Sequence, residues 1–136
     1  MASTLTHEHD VASVVRSVYD AFARRDAAAV VALFDEDIEI QQSEEVPWGG
    51  TYRGHADAVR FLTALAAHID TRIEIDRLMV AGDTVVENGR TCGRALATGR
   101  EFAIDETHVW RVRDGKVVSM HAFVDNAAML AALAGD

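Results

Sequence analysis

The feature that most constrains this chain is a change of hydrophobic period near residue 70. Residues 71–125 read TRIEIDRLMVAGDTVVENGRTCGRALATGREFAIDETHVWRVRDGKVVSMHAFVD, strand after strand, with turn signals at AGD, ATGRE and RDGK. Asp114-Gly115 is a strong two-residue hairpin signal, because both residues tolerate the positive φ such turns need. Upstream the period is helical. Val11, Val14, Val15, Val18, Tyr19 and Phe22 follow the i, i+3, i+4, i+7 spacing of one buried face. Asp26 is placed to cap a second short helix through Phe34, and DIEIQQ (37–42) alternates as a strand. SEEVPWGGTYRG (43–54) holds the only proline and three glycines, which predicts a loop with a short hairpin. Ala58, Leu62, Leu65, Ala66 and Ile69 stripe a third helix after Gly54, and NAAMLAAL closes as a helix capped by Asp125 or Asn126.

Helices followed by a meander predict an α+β chain: a curved antiparallel sheet wrapped by the N-terminal helices into a cone with an internal pocket. With no repeat, linker or composition break, residues 1–136 form one domain, long enough to bury one core. Thirteen basic against twenty-two acidic residues give a net charge of −9. Such a chain lacks the cations that nucleic acid or an anionic membrane surface would require. The start, MASTLTHEHD, has neither a basic n-region nor an apolar h-region, and cytoplasmic residence is the expectation. Cys92, the single cysteine, has no internal disulfide partner. His7 and His9 lack a third ligand at suitable spacing, so neither a metal nor another cofactor is expected.

Chemistry concentrates in DETHVW (105–110), where alternation puts Glu106, His108 and Trp110 on one face. An unperturbed imidazole titrates near neutral pH, so His108 is a candidate acid or base. Residues i and i+2 on a strand lie about 7 Å apart along the backbone. Glu106 is therefore one candidate partner for the imidazole, and Glu87 on the neighbouring strand is another.

YDAFARRDAAAVVALFDEDIEI, VPWGGTYRGHADAVRFL and THVWRVRDGKVVSMHAFVD resemble the nuclear transport factor 2-like superfamily, and within it the SnoaL-like and ketosteroid isomerase-related proteins. The resemblance spans roughly residues 8 to 134 and implies the cystatin-like cone. It also implies a register. Ile40 and Gln42 face the cone on the first strand, and Glu87, Gly89 and Thr91 do so on a later one. Glu106, His108 and Trp110 follow, then Met120, Ala122 and Val124. His121, Phe123 and Cys92 face outward, on the side where this fold often meets a second subunit, so a homodimer through the outer face is expected.

Position by position, the resemblance carries over incompletely. Gln42 stands where ketosteroid isomerases have their aspartate base, and a glutamine takes no proton at neutral pH. Their oxyanion-hole tyrosine falls on Val18, with Tyr19 one residue out of register, and their protonated aspartic acid falls on His108. SnoaL cyclases and limonene-type epoxide hydrolases use an aspartate where Ala122 stands, and the hydrolase's arginine and second aspartate map to Gly89 and Thr91.

Two classes of function remain. The first is a cofactor-independent isomerase, cyclase or dehydratase acting on a small hydrophobic carbonyl-bearing molecule. In it His108, aided by Glu106 or Glu87, is the acid/base and activity titrates near neutral pH. Gln42 orients the substrate, and Trp48, Phe61, Thr91, Trp110 and Met120 line its site. The second is a non-catalytic small-molecule-binding protein of the same fold. An epoxide hydrolase-like enzyme is disfavoured by Gly89, Thr91 and Ala122. Competing structural roles are a buried, neighbour-satisfied His108, arginine ion pairs for Glu87 and Glu106, and a loop-backbone bond for Gln42.

Overall fold

The structure, a computed structural model, describes residues 4–134. Helix α1 (Thr4–Ala23) turns at Arg25, whose φ of 59° reverses the chain, into α2 (Ala27–Ala32). Asp26 caps α2 by accepting a 3.0 Å hydrogen bond from the Ala29 amide. The helix stops two residues short of Phe34, which instead opens strand β1 (Phe34–Gln42). A loop and short strand β2 (Gly50–Arg53) lead to α3 (Gly54–His68). Strands β3 (Ile69–Ala81), β4 (Thr84–Ala95), β5 (Glu101–Arg113) and β6 (Lys116–Val124) form the meander, and α4 (Asn126–Ala134) ends the described chain. Asp114 and Gly115 both have positive φ, 51° and 75°, as the hairpin required.

The six strands form one sheet in the order β2-β1-β6-β5-β4-β3. The expected all-antiparallel sheet is corrected in one place: β1 pairs parallel with β6, Ile40 opposite Met120. The chain leaves β1 for the β2 edge, crosses through α3 to the opposite edge at β3, and returns strand by strand. That path brings β6 back alongside β1 in the same direction. Register shifts interrupt β3 between Ile75 and Arg77 and β5 between Arg111 and Val112. Irregularities of this kind bend strands, and here they accompany a sheet that curves around the helices.

Inside the curve, Val15 and Val18 of α1, Phe61 of α3 and the inward residues of the strands form the core. The loop before β2 contributes to it as well. Trp48 is 1% exposed, and its backbone carbonyl accepts a 2.9 Å bond from the Tyr52 hydroxyl. Gly49 permits this fold-back, since a Cβ there would lie 1.8 Å from the Ser43 carbonyl oxygen. Trp48→Ala is expected to cost about 3–5 kcal/mol, as large-to-small changes at a fully buried aromatic do; chemical denaturation measures it.

Candidate active site

Antiparallel pairing of β4 with β5 sets Glu87 opposite His108 and Gly89 opposite Glu106, all on the concave face. The side chains then meet. Glu87 Oε1 lies 3.3 Å from His108 Nδ1, and Glu106 Oε2 lies 3.3 Å from Nε2. Tyr19, from α1, completes the group: its hydroxyl is 2.8 Å from His108 Nδ1 and 3.1 Å from Glu87 Oε1. The hydroxyl also accepts a 2.8 Å hydrogen bond from the Trp110 indole nitrogen.

Both carboxyls are buried, Glu87 at 0% and Glu106 at 5% exposure, and neither meets an arginine among the described residues. Burial raises the pKa of each. For Glu106 the neighbouring Glu87 carboxyl pushes further the same way, to about 9. For Glu87, the adjacent Glu106 carboxyl and the hydrogen bond from Tyr19 oppose the shift. Glu106 is therefore protonated at neutral pH, and Glu87 accepts the Tyr19 hydroxyl proton. Burial lowers His108 to about 4, leaving a neutral imidazole, and holds Tyr19 protonated. This replaces the expectation of a group titrating near neutrality.

A phenol hydroxyl has one proton and two lone pairs. With Trp110 donating and Glu87 accepting, the remaining lone pair takes the proton of His108 Nδ1. Nε2 is then bare and faces Glu106. Gly89 lets β3 and the carboxyls close in, since a Cβ there would come 2.1 Å from the Glu74 backbone carbonyl oxygen, 2.7 Å from Glu87 Oε2 and 3.0 Å from Glu106 Oε1.

Among the described residues, Glu87, Glu106 and His108 are the group that could offer three metal ligands. The two carboxyls, however, approach opposite nitrogens of one ring, whose lone pairs point apart. That geometry suits protons shared along a chain better than a common ion.

The cluster opens onto a cavity of about 90 Å³ inside the cone. Glu106, His108, Gln42 and Thr91 line it, as do Trp48, Phe61, Trp110 and Met120. Glu87 does not; it stands behind His108 and touches the site only through its neighbours. Gln42 has no side-chain hydrogen bond to a described residue, so its amide is free toward the cavity rather than tied to loop backbone. Thr91 Oγ1 is 2.5 Å from Thr71 Oγ1. His121 and Phe123 are exposed on the outer face, their rings stacked 4.1 Å apart. Cys92 is nonetheless buried, and burial raises its thiol pKa. Asp125 caps α4 through the Ala128 amide, and His7 bonds Asp83 rather than joining His9.

Tyr19 is the site residue that reading by register missed. It sits at i+4 from Val15 on an apolar stripe, and a hydroxyl carried inward there requires a partner. That requirement was the available signal.

The match to known proteins is now interpretable. Residues 15–120 match the SnoaL-like domain. The chain belongs to the SnoaL-like family. A protein of unknown function from Burkholderia pseudomallei K96243, described as NTF2-like, is 28% identical, with 91% of this chain and 97% of that one covered and a TM-score of 0.86. An NTF2-like protein from Burkholderia thailandensis E264 is 35% identical over 88% and 94%, with a TM-score of 0.81. TerC, co-crystallised with polyporic acid, is 25% identical over 92% and 98%, with a TM-score of 0.85. The fold is also that of ketosteroid isomerase-like and SnoaL-like polyketide cyclase proteins. No functionally curated protein matches the sequence. Among the described residues, no helix of this SnoaL-like protein is long and apolar enough to cross a membrane.

The protonation states have a measurable consequence for stability. Glu106 binds its proton more tightly folded, at about 9, than at its ordinary 4.5, so its contribution is complete below 4.5 and is lost as pH rises toward 9. His108, ordinarily at 6.5, is lowered to about 4, so its contribution is complete above 6.5 and is lost as pH falls. Between pH 6.5 and 9 the His108 contribution is complete while that of Glu106 declines, with Glu87, raised in the same direction, adding to the loss. Melting temperatures of the wild type are expected to drop over that window, and Glu106→Gln is expected to flatten the drop.

Proposed function

We propose that this protein is a cofactor-independent enzyme that moves protons on a small, hydrophobic, carbonyl-bearing molecule, an isomerisation, cyclisation or dehydration. The observation that carries this reading is the buried Glu87–Tyr19–His108–Glu106 chain presenting an acid and a base to an otherwise largely apolar cavity. The 3.3 Å contact between Glu106 and Nε2 is long for a hydrogen bond and yields readily. A substrate carbonyl takes the Glu106 proton as a hydrogen bond, which frees Nε2 to remove the proton on the adjacent carbon. Negative charge gathering on the carbonyl oxygen faces a neutral acid. The imidazolium charge is met through Nδ1–H by Tyr19 and Glu87. Gln42, with its free amide, orients the substrate.

From this enolate-like state the proton returns to another carbon, a new carbon–carbon bond forms, or a β-hydroxyl leaves. The site itself does not select among the three. TerC's co-crystallisation with polyporic acid supports a cone that receives small organic molecules.

A test is exchange of the α-hydrogens of 2-tetralone in D2O, followed by proton NMR. The wild type is expected to accelerate exchange, with His108→Ala and Glu106→Gln each slowing it by about 10²-fold or more. The rate should be flat across neutral pH, falling below about 4 as His108 protonates and above about 9 as Glu106 ionises. Unchanged exchange in His108→Ala would sink the proposal.

One observation favours the second reading, a non-catalytic binder: Val18, Gln42 and Ala122 stand where the characterised relatives carry their acid/base groups. A tight ligand recovered chemically unaltered after long incubation would decide for it. We further propose a homodimer through the outer sheet face, supported by Phe123, 48% exposed and stacked with His121. Sedimentation of Phe123→Glu as a monomer beside a dimeric wild type would bear that out.

A further inference from the structure

The inner cavity, about 90 Å³, has room for a head group and little more. A second cavity of about 340 Å³ adjoins it, between the α1–α2 turn, α3 and β3. Phe22, Val30, Leu62, Leu65, Ile69 and Thr71 line both, so the two spaces lie back to back with these side chains between them. The outer space is apolar over most of its wall, with Ala66 on one side and Leu96, 45% exposed, on another. Its polar rim is already satisfied. Arg25 donates to the Thr71 carbonyl and is ion-paired with Asp70.

No lysine or arginine lines the inner cavity, and the buried Glu106 carboxyl stands at its end with Glu87 behind His108. An anionic ligand would bury its charge there without a counter-ion, at high cost. In the outer cavity Arg25 is balanced by Asp70, and Asp26 adds a further negative group.

We propose that the molecule bound here is elongated and uncharged, its polar end at Glu106 and His108 and its apolar tail in the outer cavity. This rests on the assignment of Glu106 and His108 as the polar anchor. The tail is selected for length by the space bounded by Leu62, Leu65, Ala66 and Leu96. Of the side chains between the two spaces, Phe22, Leu62 and Leu65 are half-buried and are the ones that would move aside for its passage.

The test uses 4-methyl-, 4-butyl- and 4-hexylphenol, neutral probes whose hydroxyl accepts from Glu106 and donates to Nε2. Binding is read by titration calorimetry. In the wild type, affinity is expected to rise about 3–4-fold per added methylene, the gain for moving one such group out of water. Ala66→Trp, at an exposed helix position, fills the outer space. It is expected to flatten the series while leaving 4-methylphenol within about twofold. Leu96→Trp, on the other rim, serves as an independent block.

A flat wild-type series, or a rising series that both tryptophan variants leave unchanged, overturns the tail assignment. The anchor has its own readout, loss of 4-methylphenol binding in Glu106→Gln. A flat series with that loss intact leaves the anchor standing and removes only the tail. If no member of the series binds, anchor and tail fall together.

Discussion

Two carboxyls and an imidazole cannot be buried side by side unless protons are distributed so that little net charge is stranded. In this protein that constraint is met by a protonated Glu106, a Glu87 that burial also pushes toward its neutral form, and a neutral histidine, joined through a tyrosine hydroxyl. Much of the surrounding structure follows from it. Position 89 has to lack a side chain, because its Cβ would strike the Glu74 backbone carbonyl and crowd both carboxyls. Helix α1 has to cross the sheet where Tyr19 reaches across to β4 and β5. Trp110 then has a place for its indole proton, which would otherwise be buried without an acceptor.

The same constraint divides the labour among residues that looked equivalent. Glu87 and Glu106 flank one ring at the same distance, 3.3 Å. Only Glu106 reaches the cavity, and only Glu106 has its shift driven up by its partner as well as by burial. Glu106 can therefore exchange a proton with a bound molecule, whereas Glu87 acts through His108 and Tyr19. An acid held neutral beside a base held neutral is a suitable pairing for chemistry at a carbonyl, where a proton leaves carbon as charge gathers on oxygen.

Much of this was legible beforehand because β-strands alternate strictly. Once 105–110 was read as a strand, Glu106, His108 and Trp110 had to share one face; that this face lines the cone, with Gln42, Thr91 and Met120 on their own strands, is what the family resemblance implied. Tyr19 was not recovered, because a helix face is broad: residues 18 and 19 both point inward, and only the crossing of α1 over the sheet tells which one meets His108. The parallel pairing of β1 with β6 escaped for a related reason. Strand direction at that junction depends on a path through β2, α3 and the whole meander, and no local pattern encodes it.

The sequence by itself determined the α+β class, the turns at Asp26 and Asp114-Gly115, the inward set of each strand and membership of a cone-shaped family. The class and the turns follow from periodicity and from local backbone preferences, which act over a few residues; the inward sets came with the family resemblance. Only the tertiary structure decided that both glutamates meet one imidazole from opposite sides, that Tyr19 joins them, and that burial keeps His108 uncharged. Ionisation depends on burial and on neighbours brought together from 68 to 91 residues away in the chain. Those distances exist only once the sheet has curved around its helices.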